Sequence, residues 1–121
     1  MSITYRHIGE GTEGEGTFTL IVASGAATKT EDRTCKMLLT DMYLEFPAIV
    51  TGASNLAKIQ LMDSRDNFIY DSGNLAATGA TDYPVHLQRK LNGVISFVIT
   101  TDGNTNADET FTVTIEGLPL E

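Results

Sequence analysis

Strict alternation of apolar and polar residues is the feature that most limits the folds open to this chain. In ETFTVTIE, residues 109–116, Phe111, Val113 and Ile115 fall on one face and threonines on the other. Three more segments show the same two-residue period: TFTLIV at 17–22, AKIQLMD at 57–63 and GVISFVITT at 93–101. Successive side chains of a β-strand point to opposite faces, so this period predicts half-buried antiparallel strands.

Turn-forming residues separate these segments. SRDN, at 64–67, predicts a hairpin, and DGNTNAD, at 102–108, predicts a second hairpin between the last two long strands. The dipeptide Asn92-Gly93 is a strong turn signal. We expect TKTED, at 28–32, and the glycine-rich loop near the N-terminus to be the mobile segments.

The stretch RTCKMLLTDMYLEF, at 33–46, fits two structures. One set of its apolar residues has helical spacing: Cys35, Leu38, Leu39, Met42 and Phe46. Another set shares one face of a strand: Met42, Leu44 and Phe46. The β-rich surroundings and the following Pro47 favour a strand from about Lys36 onward.

Several short strands at regular spacing predict an all-β, single-domain fold, an antiparallel β-sandwich of immunoglobulin-like or jelly-roll type. A chain of 121 residues is long enough to bury a core without disulfide bonds. We expect an N-terminal strand with a Gly/Glu-rich loop or arm at 1–16 and the sandwich at 17–121. The predicted core contains Phe18, Leu20, Val22, Ile59, Leu61, Ile95, Phe97, Ile99, Phe111, Val113 and Ile115.

The segment GEGTEG, at 9–14, has the G-x-G-x-x-G spacing of a dinucleotide-binding turn. That turn requires a helix after it, whereas the strand-like TFTLIV follows here. Glu10 and Glu13 would also repel a phosphate. We therefore predict a loop that binds no nucleotide, or an arm that becomes ordered against a neighbouring subunit. The loop is expected to tolerate alanine at Gly9, Gly11 and Gly14.

The candidate metal site lies in DGNTNADE, at 102–109. Oxygen-bearing side chains recur there at every second residue, as in a calcium-binding loop: Asp102, Asn104, Asn106 and Asp108. Glu109 is a further possible ligand. The pattern departs from an EF-hand, because Ala107 replaces its glycine and Val113 its bidentate glutamate. A solvated polar loop is the alternative.

No other pattern indicates a reaction centre, so we expect no enzyme and no cofactor. One cluster of aspartates could supply paired carboxylates for glycoside chemistry, although turns also use such residues: Asp63, Asp66 and Asp71. His7 and His86 lack zinc-site spacing, and Cys35 is expected to be buried. The tyrosines are a candidate sugar-stacking surface: Tyr5, Tyr43, Tyr70 and Tyr83.

The charge balance limits the partners. With 16 acidic against 8 basic residues, the net charge is -8, which opposes binding to nucleic acid and to anionic membranes but permits a basic protein surface. The single cysteine allows no intrachain disulfide. The N-terminal sequence MSITYRH shows no secretion signal, so synthesis in a cytoplasm is expected.

Three segments together carry a resemblance: AKIQLMDSRDNFIYDSGNLA at 57–76, YPVHLQRKLNGVISFVITTDG at 83–103 and ADETFTVTIEGL at 107–118. Their order resembles the small β-sandwich accessory proteins of tailed-phage virions, the decoration or cement proteins that coat capsids. Shared features are the hairpin pattern D-x-x-x-N-x-I-Y-D-S-G, a polar-basic strand ending in L-x-G and a closing threonine-rich hairpin.

The resemblance implies a non-enzymatic structural protein of the virion, made in the host cytoplasm, that binds and stabilises the assembled shell. Its partner would be the major capsid protein or another virion lattice protein. This chain would bind that partner as a homo-oligomer or in many symmetric copies. We expect contacts from the arm, Ser2–Gly16, and from an edge near Tyr83–Arg89. A carbohydrate- or calcium-dependent binding module is the alternative.

Overall fold

The computed structural model describes residues 14–48, 55–77 and 81–120, which form seven β-strands and no helix. The strands are β1 (Gly16–Val22), β2 (Thr28–Phe46), β3 (Leu56–Met62), β4 (Phe68–Asp71), β5 (Leu75–Ala76), β6 (Thr81–Thr101) and β7 (Glu109–Pro119). Every pairing between them is antiparallel. The described part of the chain holds no helix long and apolar enough to cross a membrane.

Hydrogen bonds join the strands into one sheet in the order β1-β7-β2-β6-β3-β4, with β5 beside β3. Strands β2 and β6 have 19 and 21 residues. A straight strand of that length would extend about 60–70 Å, whereas a domain of this size has a radius of gyration of only about 14 Å. The long strands must therefore bend, and the sheet folds over on itself.

Contacts across the interior confirm the β-sandwich. Phe18 of β1 and Phe97 of β6 are separated by two strands in the sheet order, yet their ring centroids lie 5.0 Å apart. One layer consists of β1, β7, the second half of β2 and the first half of β6. The other consists of the remaining halves of β2 and β6 with β3 and β4. The two layers thus share both long strands.

The core lies between these layers. Every predicted core residue is buried there except Phe18, which is partly buried and packs against the cluster. Strand β2 supplies most of the remaining core: Cys35, Met37, Leu39, Met42, Leu44 and Phe46. Phe46 contacts Phe111 edge-on, with 5.0 Å between ring centroids. The buried position of Cys35 also agrees with the sequence interpretation.

The ambiguous segment at 33–46 is a strand, as favoured, and it begins earlier than predicted, at Thr28. The segment TKTED, predicted to be mobile, is the first part of β2 and pairs with residues 96–100 of β6. Between Leu39 and Asp41 the register shifts against both neighbouring strands: β2 has one extra residue relative to β7, whereas β6 has one extra residue relative to β2. This β-bulge at Thr40 places Leu39 and Met42 on the same face, which explains the helix-like spacing.

Two turn predictions are wrong. Asn92-Gly93 lies within β6, where Gly93 has a φ of 118° and pairs with Cys35 of β2. DGNTNAD is not a hairpin loop, because β7 pairs with β1 and β2 rather than with β6. The neighbours of β6 are β2 and β3, so the 102–108 loop carries the chain from one layer to the other.

The predicted tolerance of alanine in the GEGTEG loop is wrong at Gly14. Gly14 has a φ of 91°, and a Cβ atom there would lie 2.7 Å from Cys35 Sγ and 2.9 Å from the Thr34 carbonyl oxygen. Alanine would therefore meet both backbone strain and a steric clash. Residues 1–13 of the predicted arm lie outside the described residues, and Gly16, its last residue, is already the first residue of β1.

Candidate functional site

The outward face of the β1-β7-β2-β6 layer carries a shallow groove of about 430 Å³. We call it the Tyr43 groove; it is lined by Tyr43, Leu44, Glu45, Pro84, Thr112 and Thr114. The strand register explains how these residues meet. Tyr43 pairs with Pro84 on β6 and with Thr114 on β7, and Glu45 pairs with Thr112.

The bulge at Thr40 determines which β2 side chains line the groove. Beyond it, Met42, Leu44 and Phe46 point into the core, so the alternate residues Tyr43 and Glu45 face outward. A one-residue change of register would exchange the two sets between core and solvent. The groove thus depends on the same irregularity that gave the segment its helix-like spacing.

Carboxylates lie near Tyr43, which is 42% exposed. The negative charge of Asp41 raises the pKa of Tyr43 above its usual value, with smaller contributions from burial and from Glu116. Asp41 also lies against His86, with 2.5 Å between Asp41 Oδ1 and His86 Nδ1. Within the described residues, neither Glu45 nor Glu116 forms an ion pair. The margin of the groove is therefore negatively charged.

Sequence reasoning missed the contact between Asp41 and His86, which are 45 positions apart. Their proximity follows from the pairing of β2 with β6, where they are directly opposite. The Thr40 hydroxyl donates to Asp41 Oδ2 over 3.1 Å and so also holds the carboxylate in place. No local sequence signal could have revealed this pair.

The candidate calcium ligands lie on the loop between β6 and β7, and all four are exposed: Asp102, Asn104, Asn106 and Asp108. Asp108 Oδ1 accepts a hydrogen bond from the Ser24 backbone N–H over 2.8 Å. Buried Thr105 donates its hydroxyl to the Ala23 carbonyl oxygen and its backbone N–H to that of Ala26. The loop therefore anchors the connection between β1 and β2.

Calcium binding by this loop stays a prediction. Across residues 14–48, 55–77 and 81–120, no group of three or more histidine, cysteine, aspartate or glutamate residues is arranged to hold a metal ion. A calcium site here would have to combine the two aspartate carboxylates with the two asparagine amide oxygens. Asp108 would have to bind the ion while it also accepts the hydrogen bond from the Ser24 backbone N–H.

Two of the aspartates considered for glycoside chemistry, Asp63 and Asp71, stabilise turns. Asp63 accepts hydrogen bonds from the backbone N–H groups of Arg65, over 2.8 Å, and Asn67, over 3.0 Å. Asp71 accepts from the Gly73 N–H and from Gln60 Nε2, each over 2.8 Å. The predicted SRDN hairpin between β3 and β4 is confirmed.

These hydrogen bonds also explain the D-x-x-x-N-x-I-Y-D-S-G pattern. Its first aspartate and its asparagine close the β3–β4 turn, and Asp66 within that turn has a φ of 63°. Ser72 exchanges hydrogen bonds with Ile59: its hydroxyl accepts from the Ile59 N–H, and its own N–H donates to the Ile59 carbonyl. Gly73 follows with a φ of 68°. The pattern therefore specifies a fold element.

We expect Asp63→Asn to reduce stability near neutral pH but not in acid. Hydrogen bonds from the Asn67 and Arg65 backbones lower the pKa of Asp63 below its usual value of 3.8. A lowered folded-state pKa stabilises the protein above the unfolded-state pKa, and this contribution is lost as the pH falls through the folded-state value. Asparagine retains an acceptor oxygen but no charge.

Urea unfolding of both proteins between pH 7 and pH 2 measures this effect. The difference between wild type and Asp63→Asn should be constant above about pH 5 and should shrink below about pH 4. A difference that is independent of pH would contradict the assignment.

The described tyrosines do not form one sugar-stacking surface. Tyr83 faces the interior, where its ring centroid lies 5.2 Å from that of Phe46, and its hydroxyl donates to the Ala76 carbonyl oxygen. Tyr70 is partly buried against the core. Tyr43 lies on the outward face, and Tyr5 lies outside the described residues.

These features define an antiparallel β-sandwich with a groove on the outer face of the β1-β7-β2-β6 layer. No family model and no curated protein matches the chain. Among solved structures, the pre-peptidase C-terminal domain of a collagenase from Bacillus anthracis gives a TM-score of 0.51 at 12% identity, covering 84% of this chain and 89% of that one.

Two further structures have lower scores. PirA gives a TM-score of 0.48 at 12% identity over 88% of this chain and 99% of that one. The CBM36-1 domain of a multidomain xylanase from the hindgut metagenome of Trinervitermes trinervoides gives 0.44 at 11% identity over 92% of this chain and 94% of that one. At such identities, the collagenase domain shows the fold alone.

Proposed function

We propose that this chain is a non-enzymatic binding module whose partner is the protein lattice of a tailed-phage virion, which it decorates and stabilises. The supporting observation is an open strand edge in the groove-bearing layer. Residues 81–86 and 89–95 of β6 pair with β2 on one side, and among the described residues no strand pairs with the other side of 81–95. This stretch contains the predicted contact edge, Tyr83–Arg89.

The composition of this edge suits pairing with a different protein better than uncontrolled aggregation. His86, Arg89 and Lys90 are exposed along it, and Pro84 lacks a backbone donor. Charged residues and proline are the usual protection of an edge strand against self-association. A partner that supplies complementary charge can still add to the open edge. Weak single contacts become strong when many copies occupy one lattice.

Mixing the purified chain with undecorated phage particles tests this function by co-sedimentation. We expect saturable binding, and we expect the charge reversals Arg89→Glu and Lys90→Glu together to weaken it about tenfold. Lys29→Glu, an exposed substitution on β2, is the matched control and should leave binding unchanged. No binding of the intact chain would overturn the proposal, and equal binding by the edge variant would exclude this edge.

The N-terminal arm has its own test. A deletion of residues 2–13 retains Gly14, which packs against Cys35, and should therefore preserve the fold. If the arm contacts the lattice, the deletion reduces co-sedimentation without changing the melting temperature. Unchanged co-sedimentation would remove the arm from the interface.

A carbohydrate-binding module is the second candidate function. The Tyr43 groove favours it, because an exposed aromatic ring beside the Thr112 and Thr114 side chains and a carboxylate can stack on and hydrogen-bond to a sugar. A glycan array separates the two candidates. Glycan binding that Tyr43→Ala abolishes, together with no particle binding, would replace the virion assignment.

A further inference from the structure

We infer that the Tyr43 groove accepts an arginine side chain of the partner lattice protein. This inference deepens the proposed function and rests on it for the identity of the partner. It names the chemical group that the groove recognises, whereas the open edge of β6 accounts only for the general site of contact.

The walls of the groove fit the shape of an arginine side chain. The exposed Tyr43 ring lies between Pro84 on one neighbouring strand and Thr114 on the other. These side chains offer apolar surface to the methylene stem, and the ring offers its face to the planar guanidinium. Arginine stacks on aromatic rings more effectively than lysine does, because its charge is spread over a flat group.

The charges around the ring complement that cation. Glu45 is two residues beyond Tyr43 on the same face of β2, and Asp41 is two residues before it, so each α-carbon is about 7 Å from that of Tyr43. Glu116 pairs with Asp41 on the neighbouring strand β7. Carboxylate-bearing residues therefore flank Tyr43 on both sides along the strand direction. The negative charge of Asp41, with smaller contributions from burial and from Glu116, raises the pKa of Tyr43.

The available carboxylates favour a cation over a neutral sugar. Asp41 already contacts His86, but within the part of the chain that the structure describes Glu45 and Glu116 form no ion pair. A partner that covers the groove removes water from these carboxylates, which is costly unless a cation or strong hydrogen-bond donors replace it. The guanidinium supplies five donors in a geometry that matches a carboxylate in bidentate fashion.

Peptide binding tests the chemistry of the groove directly. The probes are the capped peptide acetyl-Gly-Arg-Gly-amide and its citrulline analogue, which has nearly the same shape but no charge, titrated into the ¹⁵N-labelled chain. We expect amide shifts at residues 43–45 and 112–114, and about tenfold weaker binding of the citrulline peptide. Equal affinity of the two peptides, or shifts confined to other strands, would overturn the inference.

Variants identify the groups responsible. Glu45→Gln and Tyr43→Ala should each reduce arginine-peptide affinity about three- to tenfold, while Tyr43→Phe should retain most of it. Asp66→Asn, a carboxylate removed on the β3–β4 turn, is the matched control and should bind as the wild type does. Tighter binding of xylohexaose than of the arginine peptide at the same amides would assign the groove to a glycan and overturn the inference.

Particle binding distinguishes failure of the inference from failure of the proposed function. If the Tyr43→Ala/Glu45→Gln variant co-sediments as well as the wild type does, the groove is not the contact, although the virion assignment stands. If the intact chain does not co-sediment but the arginine peptide still binds the groove, the virion assignment fails and the partner named here fails with it. Loss of co-sedimentation only in the groove variant supports both.

Discussion

Replacing Phe97 with alanine is expected to lower the free energy of unfolding by about 3–5 kcal/mol. The Phe97 side chain is fully buried and contacts the Phe18 ring edge-on across the two layers. Removing it leaves a cavity at the point where the folded sheet meets itself. Such a loss is a large fraction of the stability of a typical domain.

Urea denaturation monitored by circular dichroism measures this effect. Val94→Ala, an exposed substitution on the same strand, is the matched control and should change stability by less than about 0.5 kcal/mol. A double-mutant cycle between Phe18 and Phe97 should give a coupling of about 0.5–1.5 kcal/mol. Zero coupling would contradict the packing of β1 against β6.

Alanine at Gly117 is expected to lower the free energy of unfolding by about 3 kcal/mol, the upper end of the range for steric overpacking. Gly117 lies on β7 opposite Leu39, where the register of β2 shifts. A Cβ atom there would collide with the Leu38 carbonyl oxygen and lie 3.1 Å from Leu39 Cα. The atoms in the way belong to the backbone of a paired strand, so the clash cannot be relieved by rotating a side chain.

The same denaturation assay tests this substitution. Leu118→Ala, at the neighbouring and 58% exposed position, is the control and should have little effect. Equal stability of Gly117→Ala and wild type would mean that β7 and β2 do not approach so closely. If the clash displaces β7, the displacement should extend to Thr112 and Thr114, which lie on the same strand and line the Tyr43 groove.

The sequence predicted the strands and the core well, because the two-residue period reports directly which side chains are buried. It predicted turns poorly wherever tertiary contacts decide the conformation. Asn92-Gly93 favours a turn locally, but its pairing with Lys36 and Cys35 keeps it inside β6. Similarly, the 28–32 segment is polar in composition yet is held in β2 by residues 96–100 of β6.

The candidate site was less accessible to sequence reasoning than the fold. The outward direction of Tyr43 depends on one extra residue at Thr40 relative to β7, and only the long-range pairing of β2 with β7 reveals that bulge. Asp41 and His86 are joined by the same long-range pairing. The aspartates near 63–71 drew attention as possible catalytic groups, because turn formation and catalysis use the same residue type.

Because both layers share β2 and β6, the two layers are coupled in local unfolding. In a sandwich of two separate sheets, one sheet can fray while the other keeps its hydrogen bonds. Here the backbone amides of both layers belong to the same two strands, so strain in either half is passed along them to the other. The two layers should therefore exchange their amide hydrogens as one cooperative unit, with similar protection at both ends of β2.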